Sequence, residues 1–241
     1  MNLKDYIIFE DQNIIIVNKP RGLLSKRDGE MSRPSLDREI EKYLNNQKPA
    51  MPVNRLDKDT SGLVIFAKTN VAALEMSNII QRHTDIEKHY LTLVAGVIRE
   101  DGIIDAPLRK SFERKKMIVA PLKSGAKEAI SKYCVVENFD NFTLLDVQLL
   151  TGRTHQIRAH MSYIRHHIVG DTKYGNYKIN NEFRKNYGFE NQFLHAYKIN
   201  FLETKGYFSY LKNRVFKAEL PLDLQKILEK MRKSANLMNI T

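Results

Sequence analysis

A chain of 241 residues, 42% of them apolar, can bury a substantial core and is too apolar to be a disordered segment. Its 39 Lys and Arg against 28 Asp and Glu leave a net charge of +11, which favours a polyanionic partner. A single cysteine, Cys134, excludes an intrachain disulfide framework, and neither a signal-peptide core nor an apolar run of about twenty residues is present, so the expectation is a cytoplasmic protein without a membrane span.

Two short apolar runs, 7–11 and 14–19, read as strands joined by a polar turn, and Lys19-Pro20-Arg21-Gly22 punctuates the exit from the second. Residues 25–34 are polar and predict a mobile loop. Residues 35–43 predict a helix with Leu36, Ile40 and Tyr43 on one face. A polar turn at 59–62 leads into a buried strand at 63–67, and 72–82 predicts a helix with Leu74, Ile79 and the pair Ala72-Ala73 as its apolar contribution. Residues 87–96 alternate as a strand does. Residues 102–130, with Gly102, Pro107, Pro121 and Gly125, read as a loop carrying the basic runs Arg109-Lys110 and Arg114-Lys115-Lys116, which either meets phosphates or is simply solvated. A hairpin is expected from 131–137 and 142–150, with Cys134 as a small filler. Thr154 is a credible N-cap for the next helix, with Ile157, Met161 and Ile164 on one face and His155, Arg158, Ser162 and Arg165 on a polar one. Turns at 167–175, a loop with a short helix at 176–191, strands at 193–201 and 208–220, and a basic amphipathic helix at 222–233 with a frayed tail complete the chain.

Chemistry concentrates at Asn54-Arg55-Leu56-Asp57, held at the mouth of the buried strand. Asp57 could be a nucleophile, a general base or the partner of an arginine; the bland reading is a carboxylate capping a turn. Tyr90 read alone is a packed core tyrosine. The histidines at 155, 160, 166 and 167 lack a His-Glu-x-x-His pattern and an acidic or cysteine ligand to complete a tetrahedral set, so no metal is expected.

Arg55-Leu56-Asp57 followed by Thr60-Ser61-Gly62-Leu63, then Glu87-Lys88-His89-Tyr90-Leu91, then Thr151-Gly152-Arg153-Thr154-His155-Gln156-Ile157-Arg158, occur in the order of the motifs of the RluA-type pseudouridine synthases. Ile168-Val169-Gly170-Asp171 and the run at 193–201 also resemble that family. One departure stands out: the family usually has His before Arg-Leu-Asp, and this chain has Asn54. The resemblance covers residues 7–223. It implies a single catalytic domain over 1–241 without an N-terminal S4-type domain. The implied fold is α+β, a long, mostly antiparallel mixed sheet flanked by helices and loops, with a central RNA-binding cleft. The implied activity is isomerisation of uridine to pseudouridine in RNA, ribosomal RNA first and tRNA second, by a monomer without metal or organic cofactor. Asp57 is implied as the catalytic carboxylate, Arg158 as its partner, and Tyr90 as the ring that stacks on the target base and is a candidate for proton abstraction. Arg55, Arg153 and His155 are implied RNA contacts, and Asp171 and His195 structural residues.

Overall fold

The computed structural model describes residues 2–28, 33–47 and 49–238. The loop reading at 25–34 falls in part on 29–32, and the frayed tail in part on 239–241, which lie outside the described residues. In chain order the strands are β1 (Ile7–Glu10), β2 (Ile14–Lys19), β3 (Met51–Pro52), β4 (Ser61–Ala67), β5 (Ile86–Ala95), β6 (Gly102–Asp105), β7 (Leu108–Ser111), β8 (Lys116–Val119), β9 (Ile130–Phe139), β10 (Phe142–Leu149), β11 (Leu194–Phe201) and β12 (Val215–Lys217). The α-helices are α1 (Leu36–Tyr43), α2 (Asn70–Arg82), α3 (Gln156–Tyr163), α4 (Tyr177–Tyr187) and α5 (Leu222–Met238). The architecture is α+β, and every strand pairing with a described register is antiparallel. The chain folds as two compact units, residues 1–88 with 196–219, and residues 89–195 with 220–241.

In the first unit the strands run in the order β1, β2, β4, β11, with β3 on β4 and β12 on β11. β2 and β4 carry apolar side chains on both faces because both faces are covered, and all seven residues of β4 are buried. Ile14, Ile16, Leu63, Ile65, Ala72, Met76, Ile79, Phe201 and Phe208 form the core on the α2 side. The side chain of Thr69 caps α2 by accepting from the Ala72 N–H at 3.1 Å. Ala72 and Ile79 face this core as expected, joined by Met76, but Leu74 does not and is 62% exposed. Gly62 has φ +114°, and a Cβ there would lie 2.2 Å from the Ala196 carbonyl oxygen, so β11 passes where only glycine leaves room.

In the second unit β5 pairs with β10, β10 with β9 and β9 with β6. Leu93, Leu144, Val169, Phe183, Phe193, Leu224 and Leu228 form its core, which buries one side of α4 and α5. The loop expected at 102–130 contains β6 and a separate hairpin, β7–β8, whose tip bears the basic residues. The short alternations at 102–105 and 116–119 are masked in the sequence by the flanking charge and by Pro107 and Pro121. The strand expected at 208–220 is instead a 3₁₀ segment (Gly206–Leu211) followed by β12. No described helix is long and apolar enough to cross a membrane.

Candidate functional site

Asp57 lies in the first unit, half-buried, on the loop between β3 and β4. Three side chains fix that loop through its backbone. Lys19, fully buried at the end of β2, donates from Nζ to the carbonyls of Pro20 (3.0 Å), Leu23 (2.8 Å) and Lys58 (2.9 Å). Ser25 Oγ accepts from the Leu56 N–H (3.0 Å) and donates to the Leu56 carbonyl (2.9 Å). Asn54 Oδ1 accepts from the Ile65 N–H (2.8 Å), and Nδ2 donates to the Leu63 carbonyl (3.3 Å). The Thr60 N–H closes the turn on the Asp57 carbonyl at 3.1 Å. The residues on either side of Asp57 are therefore held by neighbours distant in sequence, as a preorganised carboxylate requires. Arg55 is exposed and free to reach a ligand.

Lys19 and Asn54 are the residues that reading the sequence by motif left without a role. Burial pushes the Lys19 ammonium down to about 7, against the pull of Asp59 and Asp57. A lysine closing the apolar run Ile14-Ile15-Ile16-Val17-Asn18 is the signal that could have singled it out, since a charge at the end of a strand buried on both faces needs internal acceptors. Asn54 keeps both a donor and an acceptor without titrating, and the structure uses both.

Tyr90, Arg153, His155 and Arg158 lie in the second unit. Tyr90 is buried on β5. α3 begins at Gln156, not after Thr154: His155 precedes it with φ +51°, and Gln156 Oε1 accepts from the Arg153 N–H (2.9 Å) and the Thr151 hydroxyl (2.8 Å). The polar face expected here is only partly solvated: Arg165 is exposed, and His155 and Ser162 are half-buried. Arg158 is buried, and His160 is fully buried between Ser131 Oγ (2.9 Å) and the Ala106 carbonyl (3.0 Å). Polar side chains on the buried part of a short helix are satisfied internally, a state that helical periodicity cannot reveal.

Arg158 donates from Nε to Asp171 Oδ2 (2.7 Å) and from Nη2 to Oδ1 (3.0 Å). Asp171 also accepts the N–H groups of Lys173 and Tyr174, at 2.8 and 2.9 Å. Burial pushes the Asp171 carboxyl up, but the hydrogen bonds and charge of Arg158 and these two N–H groups hold it below the usual carboxylate range. The Arg158 guanidinium lies 5.1 Å from the Tyr174 ring, and the Tyr174 hydroxyl meets His155 Nδ1 (3.0 Å) and accepts from the Met117 N–H on β8 (2.8 Å). Arg158 and His155 are thus tied to β8 of the basic hairpin, one residue pair from its tip. Arg153 donates from Nε to the Glu128 carbonyl at 2.8 Å. At the hairpin tip Phe112 is 80% exposed, with Lys110 Nζ 5.1 Å from its ring.

Residues 13–163 match the family model for RNA pseudouridylate synthase. An uncharacterized RNA pseudouridine synthase of Bacillus subtilis is 35% identical over 237 residues, covering 95% of this chain and 73% of that protein. The ribosomal large subunit pseudouridine synthase D of Vibrio cholerae is 39% identical over 173 residues, 70% of this chain and 52% of that protein. An uncharacterized RNA pseudouridine synthase of Mycoplasma genitalium is 37% identical over 202 residues, 83% of this chain and 63% of that protein. The chain thus spans about half to three quarters of the length of these curated relatives. Among solved structures, human RNA pseudouridylate synthase domain containing 4 superposes with a TM-score of 0.77 at 22% identity, covering 95% of this chain and 94% of that one, a likeness of fold. With the family model matched over 151 residues (13 to 163 inclusive) and these identities, the chain belongs to the RNA pseudouridylate synthase family, with RluA-type relatives.

Proposed function

We propose that this protein isomerises uridine to pseudouridine in structured RNA, with ribosomal RNA as the first substrate class and tRNA as the second. The observation that carries the reading is the loop of Asp57, fastened by Lys19, Ser25 and Asn54 in a member of this family. Asp57 initiates cleavage of the glycosidic bond, by attack or by acting on the sugar. The uracil then turns, joins the sugar through C5, and its C5 proton passes to water. Tyr90 stacks on the base and assists loss of that proton. Arg158 charge-stabilises Asp57. The exposed Arg55, with Arg153 and His155, holds the RNA strand, and the β7–β8 hairpin adds phosphate contacts from Lys110, Arg114 and Lys115. The target uridine leaves its stack, which favours a short stem-loop whose bases can be splayed out. The reaction is a rearrangement and consumes no second substrate.

The test uses RNA tritiated at uracil C5. Wild type is expected to release tritium from unmodified ribosomal RNA, and Asp57→Asn to release none while still binding. RNA binding without release by the wild type, on ribosomal RNA and tRNA alike, would instead identify a binding module that keeps the fold.

A further inference from the structure

Among the described residues, 109–119 make one hydrogen bond outside the β7–β8 hairpin, from the Met117 N–H to the Tyr174 hydroxyl at 2.8 Å. A two-stranded hairpin is marginal by itself, so whatever holds it decides where it lies. Tyr174 holds it close to its tip and from the interior. The tyrosine is buried and packs with Leu108 of β7 and Ala159 of α3, and Met117 and Val119 of β8 lie against the same cluster. Two cations share the ring: the Arg158 guanidinium is 5.1 Å from its centroid and Lys116 Nζ 5.4 Å. The hydroxyl also meets His155 Nδ1 at 3.0 Å. The Tyr174 backbone is fixed in turn, its N–H on Asp171 Oδ1 at 2.9 Å and its carbonyl on His167 Nδ1 at 2.7 Å.

One side chain therefore joins two parts of this unit with different work. Outward, the hairpin exposes Lys110, Phe112, Arg114 and Lys115. Inward, Arg158 is buried and held at two points by Asp171. A hydrogen bond is directional and a packed core does not yield continuously, so a displacement of β8 reaches the Tyr174 hydroxyl and, through the ring, the guanidinium. We propose that Tyr174 is a positioning residue that couples the β7–β8 hairpin to Arg158, so that RNA seated on the hairpin sets the orientation of the guanidinium. This rests on RNA being the substrate and on Arg158 acting in its isomerisation. The hairpin then governs the rate as well as the affinity, and an RNA that reaches both the hairpin and the site is favoured over one that reaches the site alone.

The experiment compares four full chains on transcribed large-subunit ribosomal RNA tritiated at uracil C5: wild type, Tyr174→Phe, a hairpin variant with Lys110, Arg114 and Lys115 changed to Gln, and the two combined. RNA affinity and single-turnover tritium release at saturating RNA are measured separately. Tyr174→Phe keeps the ring and removes the hydroxyl. It is expected to bind RNA within about twofold of wild type and to release tritium about tenfold more slowly at saturation. The hairpin variant is expected to bind more weakly and also to react more slowly at saturation, and that slowing should vanish when it is made in Tyr174→Phe. A Tyr174→Phe rate equal to wild type, even with a lowered thermal midpoint, would mark a purely structural tyrosine and overturn the proposal. Slowings that multiply in the combined chain would overturn it too. A second measurement leaves Tyr174 intact. With a saturating stem-loop RNA that lacks uridine, the Arg158 Nε–H signal in NMR should move in the wild type and move less in the hairpin variant, and an equal shift in both would also overturn the coupling. Absence of tritium release by wild type counts against the isomerase reading alone, because the NMR arm still judges Tyr174.

Discussion

Arg158 and Asp171 form a two-point ion pair, Nε to Oδ2 and Nη2 to Oδ1, with the carboxylate fully enclosed and two backbone N–H groups on the same oxygen. Two-point contact fixes the plane of the guanidinium as well as its position. Tyr174 underlies that plane and links it to the hairpin strand β8. The pair therefore orients Arg158 for whatever its remaining donors meet.

Replacing Asp171 by Asn leaves a buried guanidinium facing a neutral amide. Unfolding by urea should show a loss of about 3–5 kcal/mol at neutral pH. The sign with pH follows from a folded carboxyl held below its unfolded value: its stabilisation is complete above the unfolded value near 3.8 and fades as pH falls toward the folded one. The gap between wild type and Asp171→Asn should therefore narrow in strong acid. A gap constant with pH would mean that the carboxylate's charge does not matter.

Lys19 predicts a slope of the same sign at higher pH. Its ammonium is near 7 in the fold against 10.5 when free, so between those values the unfolded chain holds more protons and stability rises with pH. Lys19→Met should flatten that rise in a denaturant series from pH 7 to 10. It should also lower the rate of tritium release, because the Pro20, Leu23 and Lys58 carbonyls lose their donor and the Asp57 loop loosens.

Asn54→Ala removes one donor and one acceptor from the loop and leaves the Ile65 N–H without its partner. A stability loss of about 1–2 kcal/mol is expected, with a fall in kcat larger than any change in KM. Asn54→Asp keeps the acceptor but turns a carboxylate toward the Leu63 carbonyl, so its activity should recover as pH falls and the group can donate. Activity equal to wild type in both variants would remove Asn54 from the positioning of Asp57.

Gly62→Ala places a methyl group against the Ala196 backbone at a positive φ. Calorimetry should show a loss of about 3 kcal/mol or more, or a chain that fails to fold.

Changing Lys110, Arg114 and Lys115 together to Gln should leave the melting temperature nearly unchanged, since all three are exposed, and should reduce the salt slope of RNA binding by about three. Phe112→Ala, also at the exposed tip, should weaken binding to a loop RNA more than to a duplex if its ring meets an unpaired base. A slope that stays flat with salt in the wild type would count against phosphate contacts by this hairpin.

Sequence alone determined the family, through three motifs in order, and the main strands, because runs such as Ile14-Ile15-Ile16-Val17 can only be interior. Through the resemblance to that family it also marked Asp57, Tyr90 and Arg158 as candidate site residues. Only the tertiary structure decided what the polar residues of α3 do. Periodicity set Arg158 on a polar face and gave His160 no partner, yet both are enclosed, because their partners Asp171, Ser131 and Ala106 come from other segments. The same holds for Lys19 and Asn54, whose work is done on backbone groups that no motif records. Local pattern reports which side chains must avoid water. The partners of a buried polar group are set by contacts between distant segments, and those exist only once the chain has folded.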